Sequence, residues 1–383
     1  MGSVCRASPL PDDYWRRPLA PQGEAPATWS PAERALAPAA CGTCHVGVFA
    51  DWQSSVHAKA FSPGLVGQLL TYSAAETQIC LDCHAPLAEQ AAAFERARAK
   101  GQAHWPQAQG LAAAGNGCGG CHVRERRRFG PPQRETGKEG PEFVNGAHGG
   151  VIRTKDFEQS DFCASCHQFP QDQAINGKPL ENTVEEWRHS PHAAAGRTCQ
   201  SCHMPDRRHL WRGIHDPAMV ASGVRPDFLA NAQGARFTLT NTGVGHAFPT
   251  YVTPKVIMHA VLLDGTGRPV ADSARSHVIE RRVVYENDEW REIADTRLLP
   301  GESASVEMRW GDAQLARVWL EVRPDEYYHV AVYAGLLDTL PAGEARHLIA
   351  EADARAQASP YVLFETVLKR NTAASEAPPL TAR

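Results

Sequence analysis

Residues 41–45 read CGTCH, and four more copies of this pattern follow along the chain. The copies are CLDCH at 80–84, CGGCH at 118–122, CASCH at 163–167 and CQSCH at 199–203. Ten of the eleven cysteines therefore fall in CxxC pairs, and each pair is followed directly by histidine. Because histidine makes up 17 of 383 residues, chance would place it after all five pairs with a probability of roughly 10⁻⁷.

The spacing matches the covalent attachment pattern of haem c. Two thiols three positions apart can each form a thioether with a haem vinyl group, and the adjacent imidazole reaches the iron as its first axial ligand. The sequence therefore predicts five covalently bound haems. The attachment residues are Cys41, Cys44, Cys80, Cys83, Cys118, Cys121, Cys163, Cys166, Cys199 and Cys202, and the first iron ligands are His45, His84, His122, His167 and His203.

Zinc is the main alternative, because paired CxxC units build four-thiolate sites. Five pairs cannot be matched two by two, and a zinc ribbon requires no histidine after each pair. Thioredoxin-like redox chemistry does not explain the five histidines either. Disulfides within CxxC are strained and usually catalytic, so a structural disulfide framework fits no better.

Two histidines outside the motifs belong to an internal repeat. Residues 52–58 read WQSSVHA and residues 187–193 read WRHSPHA. In each copy the tryptophan can pack on a macrocycle, while the histidine five positions later points to an iron. We predict that His57 and His192 are second axial ligands. The alternative is a pair of similar helix ends that carry surface histidines.

Three more histidines complete the predicted set of second ligands. His148 in NGAHGG and His215 in GIHDP lie in glycine-flanked turns that allow close approach of the backbone to a porphyrin. His246 in GHAFPT lies in a loop that glycine opens and proline stiffens. Ligation by His246 would make the C-terminal region a lid on one haem. The alternative is a histidine satisfied by backbone hydrogen bonds within its own loop.

Several other residues are weaker candidates for second ligands. They are His209, which competes with His215, the reserves His104 and His189, and His259 and His277, whose predicted strands fix their direction. Met204 follows the first ligand His203 directly, so it lies on the proximal side of that haem. Two histidines per iron would hold the reduction potentials lower than His/Met pairs would.

Charge and hydropathy exclude some partners. The chain has 39 Lys and Arg against 43 Asp and Glu, so no basic field indicates nucleic acid or an anionic membrane. No apolar stretch approaches the roughly 18 to 20 residues of a transmembrane segment. The first residues, Met-Gly-Ser, have the character of an artificial start placed on an exported chain. Cys5 is then either a possible lipid anchor or a stray thiol in the N-terminal tail.

Local patterns predict an α+β protein with four segments. Residues 1–40 are a Pro/Ala-rich extended arm, and 41–225 are a helical, loop-rich pentahaem domain. A helix is predicted from His84 to Lys100. Residues 226–325 alternate as β-sandwich strands, and 326–383 form a helical tail that packs on the body. With about 40 residues per haem, we expect the porphyrins to supply much of the core of the pentahaem domain.

The motifs resemble, in their order, the multihaem cytochrome c superfamily. CGTCH with WQSSVHA, CLDCHAPLAEQ, GNGCGGCHV, NGAHGG with FCASCHQF, and WRHSPHAAAGRTCQSCHMP carry the resemblance over residues 41 to about 216. That group includes the tetrahaem cytochromes of ammonia oxidation and the haem arrays of hydroxylamine oxidoreductase and pentahaem nitrite reductase. The resemblance implies close, partly stacked haem pairs. NTGVGHAFPT resembles a β-domain signature attached to some of these cytochromes.

Three functions are compatible with this sequence. The leading hypothesis is a carrier rather than an enzyme, moving electrons between donor and acceptor redox proteins in the periplasm or at the cell surface. The second is an oxidoreductase acting on a small nitrogen or sulfur compound at one five-coordinate haem. Pentahaem nitrite reductases commonly carry lysine after one CxxC, whereas all five motifs here end in histidine. The third is a protomer of a homo-oligomer or larger electron-conducting assembly.

Overall fold

The computed structural model describes residues 9–100, 110–134 and 147–371. The described residues form two units that interleave in sequence. The first unit draws on Met1–Cys166, Thr198–Arg212 and Gly335–Ala352, and the second draws on His167–Arg197, Gly213–Ala334 and Asp353–Arg383. Most helices belong to the first unit and most strands to the second, so the predicted α+β class is confirmed.

The helices are short, and serine side chains cap several of them. Ser30 and Ser73 form capping boxes with Glu33 and Glu76. The helices are α1 Pro31–Arg34, α2 Pro38–Gly42, α3 Val46–Gln53, α4 Pro63–Leu69, α5 Ala74–His84, α6 Ala88–Ala99, α7 Cys118–His122, α8 Asp161–His167, α9 Thr183–Arg188, α10 Pro191–Ala194, α11 Cys199–His203, α12 Pro217–Gly223, α13 Ala334–Thr339 and α14 Glu344–Gln357. A π-helical segment, Tyr328–Tyr333, precedes α13.

Each CxxCH motif coincides with a helical turn. The helices α7 and α11 consist of their motifs alone, and α5 and α8 end on the motif histidine. In the first motif, the N–H of His45 donates to the carbonyl of Cys41 at 2.9 Å, so the turn continues beyond α2. Side chains three and four positions apart share one face of a helix. Each motif therefore presents both sulfurs and its imidazole on the same side.

The helix predicted over 84–100 is shorter than expected. The chain forms α5 up to His84 and begins α6 only at Ala88. Ala85 has a non-helical backbone, with φ −154° and ψ 71°. A residue that precedes proline is disfavoured in the helical region, and Pro86 follows Ala85. The proline therefore separates the second motif from the helix that follows it.

Three of the described strands lie in the first unit and nine in the second. In the first unit, β1 Val123–Arg124, β2 Arg127–Gly130 and β3 Ile152–Arg153 form a small sheet. The second unit contains β4 Val224–Ala230, β5 Gly234–Asn241, β6 Lys255–Leu263, β7 Arg275–Ile279, β8 Arg281–Glu286, β9 Glu289–Asp295, β10 Ser303–Arg309, β11 Leu315–Arg323 and β12 Tyr361–Lys369. Its two larger sheets have the orders β10-β5-β4 and β12-β11-β6-β7, and β8 pairs with β9.

The two larger sheets of the second unit face each other across one core. Buried residues alternate along β11, as expected for a strand with one face turned inward. Phe237 and Leu239 from β5 and Val318 and Leu320 from β11 are all buried in the same cluster. The alternating runs that predicted a β-sandwich correspond to β5, β6, β7 with β8, β10 and β11.

The predicted helical tail is wrong at its end. Residues 344–357 are helical as expected, but Tyr361–Lys369 form β12, which pairs antiparallel with β11. The physical reason is burial, because Leu363, Phe364 and Leu368 complete the sandwich core. The last residues, 372–383, lie outside the described part of the chain, as do Cys5 and His104.

The predicted boundary at residue 225 also differs from the structure. Residues 167–197 separate two motifs in sequence, yet they belong to the second unit. Arg281 on β8 is 1% exposed and donates to the carbonyls of Ile175 and Lys178, at 3.0 and 2.7 Å. A buried guanidinium needs several acceptors, and this segment supplies them. Composition alone did not reveal this long-range pairing.

The two units differ in the size of their protein cores. The sandwich core contains 21 buried residues. In the described part of the first unit, the two hydrophobic clusters contain seven and four, centred on Phe94 and on Leu87. This difference is what we expect if prosthetic groups provide much of the buried apolar surface of the motif-bearing unit.

Replacing Phe237 with alanine should destabilise the sandwich by about 3–5 kcal/mol, because the side chain is completely buried and its loss leaves a cavity. Denaturant unfolding followed by far-UV circular dichroism measures this effect. Val367→Ala is the matched control, since Val367 is 49% exposed on β12, and it should change stability by no more than about 0.5 kcal/mol. Equal effects of the two substitutions would contradict the assigned core.

Candidate haem-binding sites

Cysteines of different motifs lie near one another in the first unit. The sulfur of Cys121 is near enough to Cys163 and Cys166 to act on them electrostatically. Three further pairs are close enough for one thiol to shift the pKa of the other: Cys41 with Cys118, Cys83 with Cys166, and Cys163 with Cys199. Together these pairs connect the attachment sites of all five motifs. None of the ten motif cysteines, all within the described residues, is in a disulfide.

Backbone carbonyls orient the imidazoles of three motifs through Nδ1. The bonds are His84 to Ala60 at 3.0 Å, His122 to Phe129 at 2.8 Å and His203 to Arg212 at 2.8 Å. An Nδ1–H that donates to a carbonyl fixes the tautomer and leaves Nε2 for a metal. The three rings are therefore prepared for ligation through Nε2.

His122 and His209 form a pair suited to one metal ion. Their ring centres are 6.2 Å apart. A metal held about 2.0–2.1 Å from one nitrogen of each ring would place two imidazoles on opposite sides with their centres about 6 Å apart. Nδ1 of His209 lies 3.0 Å from the carbonyl of Arg207, which again leaves Nε2 for a metal. The structure thus brings together a first ligand and a candidate that sequence reasoning ranked below His215.

Aromatic rings hold the His122 and His209 pair in place. Phe157 stacks on His122 with ring centres 5.0 Å apart, and Trp211 meets His209 edge to face at 4.9 Å. Burial lowers the pKa of His122, and burial together with His122 lowers the pKa of His209 to about 4. Both rings are therefore neutral near pH 7, which is the form that binds a metal.

His148 lies in the glycine-flanked turn that the sequence predicted. Its φ is 41°, and Gly149 and Gly150 follow with φ 77° and 89°, so the backbone turns sharply here. Nδ1 of His148 lies 3.2 Å from the carbonyl of Gly150, and its backbone N–H donates to Glu33 at 2.7 Å. His45 acts electrostatically on His148 and contributes to its lowered pKa, whose main cause is burial. His148 is thus placed near the first ligand of motif 1.

The internal repeat has a shared local structure. In the first copy, the Trp52 indole donates to a backbone carbonyl and Ser55 accepts from the N–H of Ala58. In the second copy, Trp187 and Ser190 make the equivalent bonds, with Ala193 as the donor to the serine. The repeat therefore fixes the turns that carry His57 and His192. The ring of His57 lies 4.6 Å from that of Trp211.

The loop that carries His246 is held rigid within the second unit. Asn241 donates to the carbonyl of His246 at 3.0 Å, and the N–H of Ala247 donates to Glu186 at 3.1 Å. Nδ1 of His246 lies 2.9 Å from the carbonyl of Ala247. A Cβ on Gly245 would lie 3.5 Å from His192. The loop is therefore packed against the second copy of the repeat.

The remaining candidates have other partners. Nε2 of His215 lies 3.0 Å from both carboxylate oxygens of Asp325, so Nδ1 is the ring nitrogen left for a metal. His259 stacks on Trp319 and bonds Glu321 at 2.9 Å. His189 bonds the carbonyl of Glu185 from an exposed position, and His277 lies on β7. These contacts do not favour ligation by His215, His259 or His189.

Sequence reasoning missed the role of the N-terminal arm. The sequence analysis placed no site residue in this extended arm, yet Tyr14 is 2% exposed and its hydroxyl donates to the carbonyl of Cys121 at 2.6 Å. The guanidinium of Arg17 donates to the sulfurs of Cys83 and Cys166 at 3.2 and 2.8 Å. The adjacent aromatic and basic residues of YWRR were the available signal for such contacts.

Haem fits the residues around these motifs. Val46, Val56 and Ile79 flank motif or candidate ligand residues and are 61%, 45% and 72% exposed, as side chains that pack on a macrocycle would be in the polypeptide alone. Buried donor atoms on Trp15 and Arg17 have no acceptor within the described residues. Haem would supply an apolar surface for the three exposed aliphatic side chains. Its carboxylate oxygens would accept hydrogen bonds from Trp15 and Arg17.

Replacing His246 with alanine should convert one low-spin haem per chain to a high-spin, ligand-binding haem and leave the covalent haem content at five. The reason is that loss of a second axial ligand opens one iron. Absorption and electron paramagnetic resonance spectra measure the change. His277→Ala, on β7 of the same unit, is the control and should leave the spectra unchanged. A fully low-spin His246→Ala protein would leave this loop with a docking role only.

The fold has a counterpart among solved structures. It resembles a penta-heme cytochrome c552 from Thermochromatium tepidum, with a TM-score of 0.60, 18% sequence identity, and coverage of 89% of this chain and 100% of that chain. Neither a family model nor a curated protein matches the sequence. Within the described ranges, no three His, Cys, Asp or Glu side chains converge on a common metal position. No helix in those ranges has the length and apolar character needed to cross a membrane.

Proposed function

We propose that the protein is a pentahaem c-type cytochrome that carries electrons between redox proteins. The observation that carries this proposal is the connection of all five motifs through their sulfurs in the first unit. Haems attached at neighbouring cysteines would be close to one another, so an electron entering at one could reach the others. The fold shared with the penta-heme cytochrome c552 supports the same function.

Bound haem would supply reversible one-electron chemistry at iron. The protein would attach it through the ten motif cysteines and provide the first ligands His45, His84, His122, His167 and His203. For the second ligands we propose His57, His148, His192, His209 and His246. His209 replaces His215 in the predicted set of second ligands, because the Nε2 atom of His215 bonds Asp325.

A carrier is favoured over an enzyme by the supply of second ligands. A haem that only passes electrons has both axial positions occupied, whereas a catalytic haem needs one open position. Five histidines are available for five irons, and the pair His122 and His209 has the separation that one metal requires. The donor and the acceptor would be redox proteins of the periplasm or the cell surface, where c-type haems are attached.

The intact mass of the protein, produced in a host that attaches haem c, tests the cofactor content. We expect the mass of the polypeptide plus five haems, retained after denaturation because the thioethers are covalent. The same sample should lack stoichiometric zinc by elemental analysis. A polypeptide that carries zinc and no haem would overturn the proposed function.

A further inference from the structure

Two arginines, Arg17 half-buried and Arg124 buried, lie where three motifs meet. Arg17, from the arm, donates to the second cysteine of motif 2 and of motif 4, Cys83 and Cys166. Arg124, two residues after the third motif, is 9% exposed. The two guanidinium groups are close enough to act on each other electrostatically. We call Arg17 and Arg124 the arginine pair.

Contacts of the arm fix Arg124 in this position. Its Nε donates to the carbonyl of Tyr14 at 2.7 Å, and its Nη1 donates to the carbonyls of Gly120 and Val123 at 3.0 and 2.6 Å. The guanidinium carbon lies 4.1 Å from the centre of the Tyr14 ring and 4.9 Å from that of Trp15. These partners are neutral carbonyls and aromatic rings, so they orient the charge without neutralising it.

Protein groups would balance little of the charge of the arginine pair once haem is attached. The groups that act on Arg17 are the thiols of Cys166 and Cys83, and those that act on Arg124 include Tyr14, Cys121 and Asp13. Attachment converts each of these thiols to a thioether, which is a weak acceptor and cannot ionise. Among these partners Asp13 alone would then carry a full negative charge, and it is exposed.

We propose, on the basis of the proposed function, that the arginine pair raises the reduction potentials of the haems attached at motifs 2, 3 and 4. A positive charge near a haem favours reduced iron, which carries one positive charge less than oxidised iron. The effect is strong in a buried place because the dielectric constant is low there. The N-terminal arm therefore tunes the haem group in addition to packing on it.

Potentiometric titration of the holoprotein tests this inference. Arg17→Gln should shift at least two of the five one-electron steps to lower potential. Each shift should correspond to a tenfold change in the ratio of oxidised to reduced haem, which is about 59 mV for one electron. Arg17→Lys should restore most of the shift because it keeps the charge. Arg16→Gln, an exposed neighbour on the same arm, is the matched control and should change each ratio less than twofold.

A second variant tests the inference if Arg17→Gln fails to fold. Asp13→Asn removes the exposed charge that faces Arg124, and at low ionic strength it should raise at least one potential, by a ratio of about twofold or more. The covalent haem count is measured first for every protein. Five haems with all steps unmoved in Arg17→Gln, or equal shifts in Arg17→Gln and Arg17→Lys, would overturn the tuning role alone. A wild-type protein without haem would instead reject the proposed function.

Discussion

A protein in which Cys118 and Cys121 are both replaced by alanine will carry four covalent haems per chain instead of five. Motif 3 would lose both thioether bonds, and its haem is part of the expected core of the first unit. Gly119 and Gly120 pack closely here, with Leu87 and Pro86 against them. Removal of a buried aromatic side chain lowers the free energy of unfolding by about 3–5 kcal/mol. We expect the loss of this haem to lower it by at least as much.

Intact-mass analysis of the denatured variant measures this change, and thermal unfolding measures the loss of stability. Cys5→Ala is the matched control, because Cys5 is the one cysteine outside the motifs. The control should keep five haems. If the double variant also kept five, motif 3 would not be an attachment site.

Replacing His209 with alanine will leave five covalent haems but open one iron. The ring of His209 lies 6.2 Å from that of His122, so its removal takes away the second ligand that we assign to the haem of motif 3. About one fifth of the total haem should become high-spin and bind carbon monoxide when reduced. Added imidazole should restore the low-spin spectrum, because it can occupy the space left by the side chain.

His215→Ala is the matched control for this experiment. His215 bonds Asp325 through Nε2, so its loss should leave every haem low-spin. The reverse result, with a high-spin haem in the His215 variant and none in the His209 variant, would show that the ranking made from the sequence was right. It would also remove His209 from the ligand set.

Residues that act locally were predictable from the sequence. The motifs require only neighbouring residues, and each one forms the helical turn that presents two sulfurs and an imidazole together. The strands that alternate regularly, such as β11, were found for the same reason. The shared hydrogen bonds of the two WxxSxHA-like segments also follow from local sequence, since serine caps the turn in both.

Contacts between distant residues were not predictable in this way. Arg17 and Cys166 are 149 positions apart, and the YWRR pattern of the arm does not indicate which motifs the Arg17 guanidinium reaches. The sequence could not decide between His209 and His215, because the difference lies in His122 beside one and Asp325 beside the other. The strand β12 was missed because its pairing with β11 and its place in the sandwich core depend on residues far away in the sequence.

We propose that every haem of this protein is six-coordinate and serves to carry electrons. The spectrum of the dithionite-reduced wild-type protein, before and after addition of carbon monoxide, tests it most directly. We expect five low-spin haems per chain and no change in the spectrum when carbon monoxide is added. A carbon monoxide complex at one haem per chain would contradict it, because an open iron would favour an oxidoreductase that acts on a small molecule.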